Sequence, residues 1–449
     1  MLLDFVRLEE SKDGAMYQAL YRAIKEAAAR GGVKPGERLP SLREAAKLLG
    51  VSRTTVENAY LKLCLEGVVE SAPQRGYTLT AQAAATPPPA KTAPPEQVVR
   101  YDFSARKIEP RAADTDLWKK TVREVLRDTK ELTSYGDPQG EERLRRALAA
   151  YTYKARGVQT SPENIVIGAG VGTLLNLLCG LMGRKKTVGF ENGGFSQAER
   201  VFADYGIKTA LIESDRSGAK PSALQKSGAN VLFLLPSSLA KLRVTELAAR
   251  RNRFAEWASS GDDRRIIEDD YNGELRYTAR SVPAFQPKNP DRTVYIGSFS
   301  KLLLPSVRIA YMVLPESLTE TFRQRRALYN QTCGKVEQLA LAAYIEDGSL
   351  ERHLRRLRKL YAAKSRAFLG TLETVFPQTQ VTLYESSVTA EIRLPEGVGS
   401  ADVCAAALKA GVRALPGKRE ETVRLCFAGM GEEDFLPALT ILKHATERI

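Results

Sequence analysis

Across 449 residues the chain has only five cysteines, Cys64, Cys179, Cys333, Cys404 and Cys426. They are odd in number, widely scattered and never in C-x-x-C spacing, which argues against a disulfide framework and a structural zinc site and leaves reduced packing residues; no metal is expected. No stretch approaches the ~20 apolar residues of a membrane span. The opening MLLDFVRLEESKDG is charged within its first seven residues and lacks a long apolar run, so no export signal and no membrane partner are expected, and a cytoplasmic location is. Acidic side chains are also in deficit, 53 against 67 Lys and Arg. The resulting net charge of +14 and pI near 9.4 favour a polyanionic partner, since Lys and Arg release counterions from phosphates. What is present, 43% hydrophobic and 27% charged residues with a mean hydropathy of -0.28, is the composition of a globular protein. A prior of ~150 residues per domain allows two or three domains.

Residues 81–98, AQAAATPPPAKTAPPEQV, hold five prolines and almost no large apolar side chain. Such density favours extended polyproline II, a semi-stiff linker between a unit at 1–80 and a body at 99–449. No internal repeat is evident. In the body, Asn164-Ile165-Val166-Ile167, Val231 to Leu235, Ile266-Ile267, Val294-Tyr295-Ile296 and Ile309 to Val313 read as buried strands of a largely parallel sheet with helical patterns between. That is an α/β body, in which ligands sit at the carboxyl ends of strands. From about 335 to 372 the pattern is helical and basic, with Arg352, Arg355, Arg356, Arg358 and Lys359 close together. A solvated helix face is the simpler reading and a supplementary phosphate-contacting surface the alternative.

The first unit reads helix, turn, helix, turn, helix and two short strands. Tyr17, Leu20, Tyr21 and Ile24 recur at helical spacing, and Ser41 with Glu44 makes a capping box for a second helix that ends at Gly50. Ser52 caps a third helix carrying Arg53, Thr54 and Thr55, whose polar N-terminal end suits the major groove. Val68 to Ser71 and Tyr77 to Thr80, joined through Gln74-Arg75-Gly76, form a wing. Ser52 and Thr55 serve equally as plain caps. As a whole, LPSLREAAKLLGVSRTTVENAYLKLCLEG with QRGYTLT resembles the winged helix-turn-helix of the GntR family. The resemblance implies double-stranded operator DNA as partner and Ser41, Arg43, Ser52, Arg53, Thr54, Thr55, Arg75 and Gly76 as contacts. Residues 14–80 carry a net charge of only +4, so affinity is expected to need two such units together.

In the body, Lys301 follows an apolar strand within Ser298-Phe299-Ser300-Lys301, with Arg308 downstream and Glu268-Asp269-Asp270-Tyr271 upstream. Pyridoxal phosphate chemistry needs a lysine for covalent attachment, an acid for the pyridine nitrogen and donors for the phosphate. A solvated Asp-Asp turn is the alternative for 269–270. The run SFSKLLLPSVR resembles the lysine segment of fold type I aminotransferases. By that resemblance Lys301 forms the Schiff base, Ser298, Ser300 and Arg308 bind phosphate, Asp269 pairs with the pyridine nitrogen, and Tyr271 reaches the ring hydroxyl. The turn Gly168 to Thr173 precedes a helix, whose N-terminus favours an anion, and Gly170, Val171 and Gly172 take the place of the phosphate loop. Phe195 takes that of the ring-stacking aromatic. Tyr135 falls in a segment whose tyrosine, in that family, reaches the phosphate of a neighbouring subunit. Arg424 is the candidate for gripping the carboxylate of an effector.

Winged helix, linker and aminotransferase-like body together resemble the MocR family of transcriptional regulators over essentially the full length. The resemblance implies an amine or amino-acid effector sensed by aldimine exchange at Lys301, and a homodimer, head-to-tail, with domains swapped between subunits. Two places depart from the family. Pro236-Ser237-Ser238-Leu239-Ala240-Lys241-Leu242-Arg243 replaces a Pro-Ser-His-Gln segment leading into Pro-x-Gly, and Ser387-Val388-Thr389 replaces Gly-Leu-His. Both remove polar groups or histidine from the effector side. Sensing without turnover is the preferred expectation. A working aminotransferase with an accessory DNA-binding domain, and a repressor whose pocket is vestigial, are the alternatives.

Overall fold

The computed structural model describes residues 16–29, 34–73, 75–81, 98–104, 107–191, 194–215, 218–239, 242–271, 273–277, 282–384, 388–417 and 419–449. The chain divides into two compact units, 1–96 and 97–449. The expected linker at 81–98 lies almost wholly outside the described residues.

In the first unit, α1 (Met16–Ala29) turns Leu20, Tyr21, Ile24 and Ala28 inward, the one-face spacing of a helix. Before α2 (Leu42–Leu49), Ser41 Oγ accepts from Glu44 N at 3.3 Å and the Glu44 carboxylate accepts from Ser41 N at 2.9 Å. This is the expected capping box. Gly50 ends the helix at φ +64°, a conformation open to glycine without steric penalty. In α3 (Arg53–Leu65), Val56, Ala59, Tyr60 and Leu63 are buried. The wing is the antiparallel pair β2 (Val69–Ala72) and β3 (Gly76–Leu79). It gains a third strand that the sequence reading missed, β1 (Arg38–Leu39), paired with β3 so that Leu39 faces Tyr77. Two residues carry no periodicity to read. Tyr60 joins α3 to the wing, its ring edge-on to Tyr77 at 4.8 Å and its hydroxyl donating to Pro40 O at 3.1 Å.

The second unit enters at β4 (Tyr101–Asp102) and is built on a seven-stranded sheet. Its strands are β5 (Ile165–Gly168), β6 (Thr187–Glu191), β7 (Lys208–Ile212), β10 (Val231–Leu234), β11 (Arg265–Asp269), β12 (Thr293–Ser298) and β13 (Ala310–Val313), in the order β5-β13-β12-β11-β10-β6-β7. A small hairpin, β8 (Ser214–Asp215) and β9 (Gly218–Ala219), follows β7. The run from β7 to β12 is parallel throughout, whereas β13 is antiparallel to both its neighbours. Apolar runs carry no direction, so that reversal was not readable. Side-chain alternation sends Ile165, Ile167, Tyr295, Tyr311 and Val313 into one core and Val166, Val294, Ile296, Ala310 and Met312 into another, which covers both faces of the sheet. Full burial of each such large side chain contributes ~1.5–3 kcal/mol.

A second sheet is antiparallel, in the order β14 (Val381–Tyr384), β15 (Thr389–Arg393), β18 (Thr422–Cys426), β17 (Leu415–Pro416). Beside it β16 (Val412–Arg413) pairs parallel with β4. The basic stretch expected as one helical region is two helices, Lys335–Glu346 and Ser349–Val375, broken at Gly348 with φ +73°. Arg352, Arg355 and Lys359 are exposed on the second, while Arg358 donates to Glu274 O at 2.7 Å. The five cysteines are all free, and four of them are buried. Among the described residues no helix is long and apolar enough to cross a membrane.

Candidate functional site

The sheet brings several sequence-separated groups to one place. β5 ends at Gly168, and two residues later Gly170 opens the helix Val171–Met182 with φ +95° and no side-chain cap. A Cβ on Gly170 would lie 2.5 Å from Arg308 Nη2, so the guanidinium occupies the space a side chain would need. Arg308 itself has φ +53°, an uncommon conformation for a branched-free but bulky residue. Its Nη1 donates to Ser300 Oγ at 3.2 Å, and Ser300 N donates to Ser298 Oγ at 3.3 Å. A guanidinium, two hydroxyls and the uncapped N–H groups around Val171 and Gly172 therefore converge. All are suited to a phosphate-sized anion. Thr332, which the sequence reading did not single out, steadies the turn by accepting from Ala169 N at 3.0 Å.

Asp269 ends β11. Alternation along the strand puts Glu268 and Asp270 on one face and Asp269 on the other. Asp270 is bound by Arg156, with Nε–Oδ2 at 2.6 Å and Nη2–Oδ1 at 3.1 Å, and by the Tyr295 hydroxyl at 3.0 Å. Glu268 accepts the backbone N–H groups of Phe285 and Gln286. Asp269 is equally buried, 5% exposed, yet has no hydrogen-bond or ion-pair partner among the described residues. Burial, then the adjacent Asp270, push its carboxyl up to about 7. The alternative of a solvated Asp-Asp turn is thereby corrected: both carboxylates are buried, one is paired, and the other lacks a cation. A protonated pyridine nitrogen is the kind of group that would complete it.

Lys301 lies in the turn after β12, half-buried, and burial lowers its ammonium pKa, which favours the nucleophilic free amine. Its Nζ lies 3.5 Å from Lys107 O. Phe195, half-buried just before the helix Ser196–Asp204, packs against Phe233 with ring centroids 6.4 Å apart. Tyr271 is 38% exposed and lines a small cleft with Arg156, Pro236, Asp270 and Arg276. Arg276 is a cationic wall that the sequence reading missed, since nothing in its local spacing marks it.

Two candidates are not joined to this cluster within the chain. Tyr135 is fully exposed. Arg424 is exposed at the middle of β18, opposite Glu391 and Leu415 in register, and shares its strand face with Cys426 two residues on. Of the divergent segment, Pro236 and Leu239 are buried, while Ala240, Lys241 and the side chains of Ser237 and Ser238 lie outside the described residues. Ser387 is outside them as well, and Val388 beside it has φ +52°.

In the first unit, Arg43, Arg53, Thr54 and Arg75 are exposed, as are Ser41, Ser52 and Gly76. Ser52 Oγ accepts from Thr55 N at 3.1 Å and lies 2.8 Å from Thr55 Oγ1, so both hydroxyls already serve the start of α3. Gly76 sits at φ +76°, where the wing turn needs glycine. Gln74 is outside the described residues.

Residues 16–79 match the bacterial regulatory proteins of the gntR family, and residues 104–226 match aminotransferase class I and II. An HTH-type transcriptional regulator of Bacillus subtilis, YdeL, is 32% identical over 98% of both chains. The HTH-type pyridoxine biosynthesis transcriptional regulator PdxR of Corynebacterium glutamicum is 30% identical over 85% of this chain and 84% of its own length. The probable rhizopine catabolism regulatory protein MocR of Rhizobium meliloti is 28% identical over 81% and 78%. Among solved structures, an archaeal alanine:glyoxylate aminotransferase superposes with a TM-score of 0.69 at 22% identity, covering 78% of this chain and 91% of that one. At that identity the likeness speaks for the fold.

Proposed function

Because this chain belongs to the MocR-type transcriptional regulators, a GntR-family winged helix-turn-helix fused to an aminotransferase class I and II domain, we propose that its DNA binding is governed by pyridoxal phosphate held at Lys301 and by an amine or amino acid that reacts there. The observation that carries this reading is Asp269: a carboxylate 5% exposed, without a cation among the described residues, across the strand from a neighbour that has one. Placing such a group in the core is costly unless a cationic ligand arrives.

In this reading Gly170, Val171, Gly172, Ser298, Ser300 and Arg308 hold the phosphate, and Asp269 keeps the pyridine nitrogen protonated. Phe195 covers the ring face and Tyr271 serves the ring hydroxyl. Bound there, pyridoxal phosphate supplies an aldehyde that condenses reversibly with primary amines. Lys301, with its lowered ammonium pKa, holds a larger share of free amine for attachment than an exposed lysine would. Arg424 is assigned to an effector carboxylate, and Tyr135, fully exposed in the single chain, to the pocket of a partner subunit. The working unit is then a cytoplasmic homodimer with heads and bodies exchanged, reading an operator of two half-sites.

Signalling needs only a reversible adduct that one conformation binds better, whereas transamination needs two half-reactions and release of a keto product. The intact pair of Lys301 and Asp269 would serve either. The test is to supply amino acids with several keto acids and count product per subunit. The sensor reading expects no more than a few equivalents. Sustained turnover near ~1 per second, ordinary for enzymes, would replace it with an aminotransferase carrying a DNA-binding domain.

A further inference from the structure

The chain reaches the pocket before it reaches the first long helix of the second unit. Phe103 N donates to Arg413 O at 2.8 Å and Phe103 O accepts from Cys426 N at 2.9 Å, which docks this entering segment on β16 and β18. A few residues on, Lys107 O faces Lys301 Nζ at 3.5 Å. Lys107 is seated against Gly429, where an added Cβ would lie 2.7 to 2.9 Å from the Lys107 Cβ, C and O atoms. Only glycine lets the two backbones approach so closely.

Two residues further, Glu109 is 5% exposed and its carboxylate is shared. One oxygen accepts from Arg111 Nε at 3.1 Å, and the other is paired with Lys364 Nζ. Lys364 is fully buried in the middle of the helix Ser349–Val375, among Tyr361, Phe368 and Leu372, where the pattern calls for an apolar side chain. Its ammonium also donates to Ala428 O at 3.2 Å. One buried cation thus joins three elements: the entering segment, the long helix, and the loop that follows Arg424 and Cys426.

We propose that Lys364 is a positioning residue for the pocket, a latch that through Glu109 holds Lys107 at Lys301 and makes the entering segment the route by which the state of the pocket reaches the DNA-binding head. This deepens the sensing reading above and rests on it. Three physical points carry it. The segment continues directly into the residues that lead to the head, so it is the covalent path between the two units. An amine engaged in a covalent bond has fewer protons to offer Lys107 O, so a change at Lys301 alters its contact with residue 107. A buried ion pair with a second acceptor holds one geometry or lets go, and so transmits displacement instead of absorbing it.

The experiment compares full-length wild type with Glu109→Gln and Lys364→Met. Each is measured with and without pyridoxal phosphate, for affinity toward a duplex selected from a random pool by the wild-type protein, and for amide hydrogen exchange in residues 98–112. Wild type is expected to change affinity at least fivefold on loading, with altered exchange in that segment. The variants are expected to keep the wild-type cofactor spectrum and unloaded affinity within twofold, to lose most of the loading response, and to exchange at least tenfold faster at 98–112. A variant that keeps its cofactor and responds like wild type overturns the latch while leaving the sensing reading in place. A wild type that does not respond to loading overturns the latch, and one that responds neither to loading nor to any amine added to the loaded protein overturns the sensing reading with it. Should both variants misfold or lose the cofactor, exchange in wild type decides: protection at 98–112 that is identical with and without pyridoxal phosphate overturns the proposal, and a change supports it.

Discussion

Arg308 and Gly170 are matched to each other across 138 residues of sequence: a Cβ at position 170 would stand 2.5 Å from Arg308 Nη2. Gly170→Ala should therefore push the guanidinium away from Ser300, and it also places alanine at φ +95°. The expected result is at least a tenfold loss of pyridoxal phosphate affinity, measured by absorbance titration, with the DNA affinity of the unloaded protein unchanged. Wild-type cofactor affinity would remove Arg308 and Gly170 from the phosphate site.

Asp269 makes a prediction in pH. Its carboxyl titrates at about 7 in the folded chain, against ~4 when unfolded. Between those values the folded state keeps a proton that the unfolded state has released. Its contribution to stability without cofactor is thus full below pH ~4 and is lost as pH rises through about 7. Asp269→Asn should melt higher than wild type at pH 8, by on the order of 1 kcal/mol or more, and the gap should close near pH 4. Cofactor retention should fall, since the amide cannot balance a pyridinium charge. Thermal melting without cofactor from pH 4 to 8 checks this, and a variant less stable than wild type at pH 8 would contradict it.

On the head, Arg53 is exposed at the start of α3 while Ser52 and Thr55 are engaged with each other. Arg53→Ala should cost roughly 1–3 kcal/mol on the preferred sequence if it reads a base, or weaken all sequences alike if it touches phosphate. Ser52→Ala should instead lower the stability of the head by ~1 kcal/mol through the lost cap. Binding titrations on selected and scrambled duplexes separate the two, and halving the operator should cost far more than twofold if two heads act together. Unchanged affinity for Arg53→Ala on every duplex would remove α3 from the groove.

Local chemistry was readable and long-range pairing was not. The capping box of Ser41 and Glu44 lies within four residues and follows from local backbone geometry, and Ser298, Ser300, Lys301 and Arg308 lie within eleven, so their grouping was visible while the roles proposed for them came from family resemblance. The pairing of Asp270 with Arg156 spans 114 residues and that of Glu109 with Lys364 spans 255. No periodicity announces either, because packing between distant segments decides them. The same holds for β13, whose apolar run reads alike in both directions, and for β1, two residues that pair only because the wing is beside them. Tyr135 and Arg424 were nominated through family resemblance, and the isolated chain leaves both exposed.

The central claim is that the pocket at Lys301 governs DNA binding. The most direct measurement is the affinity of wild type and Lys301→Ala for the selected duplex, each with pyridoxal phosphate and a panel of amino acids and simple amines. The account predicts that at least one amine shifts wild-type affinity fivefold or more, about 1 kcal/mol of coupling, while Lys301→Ala stays unresponsive throughout. A panel that leaves wild type unmoved, or shifts Lys301→Ala equally, would contradict it.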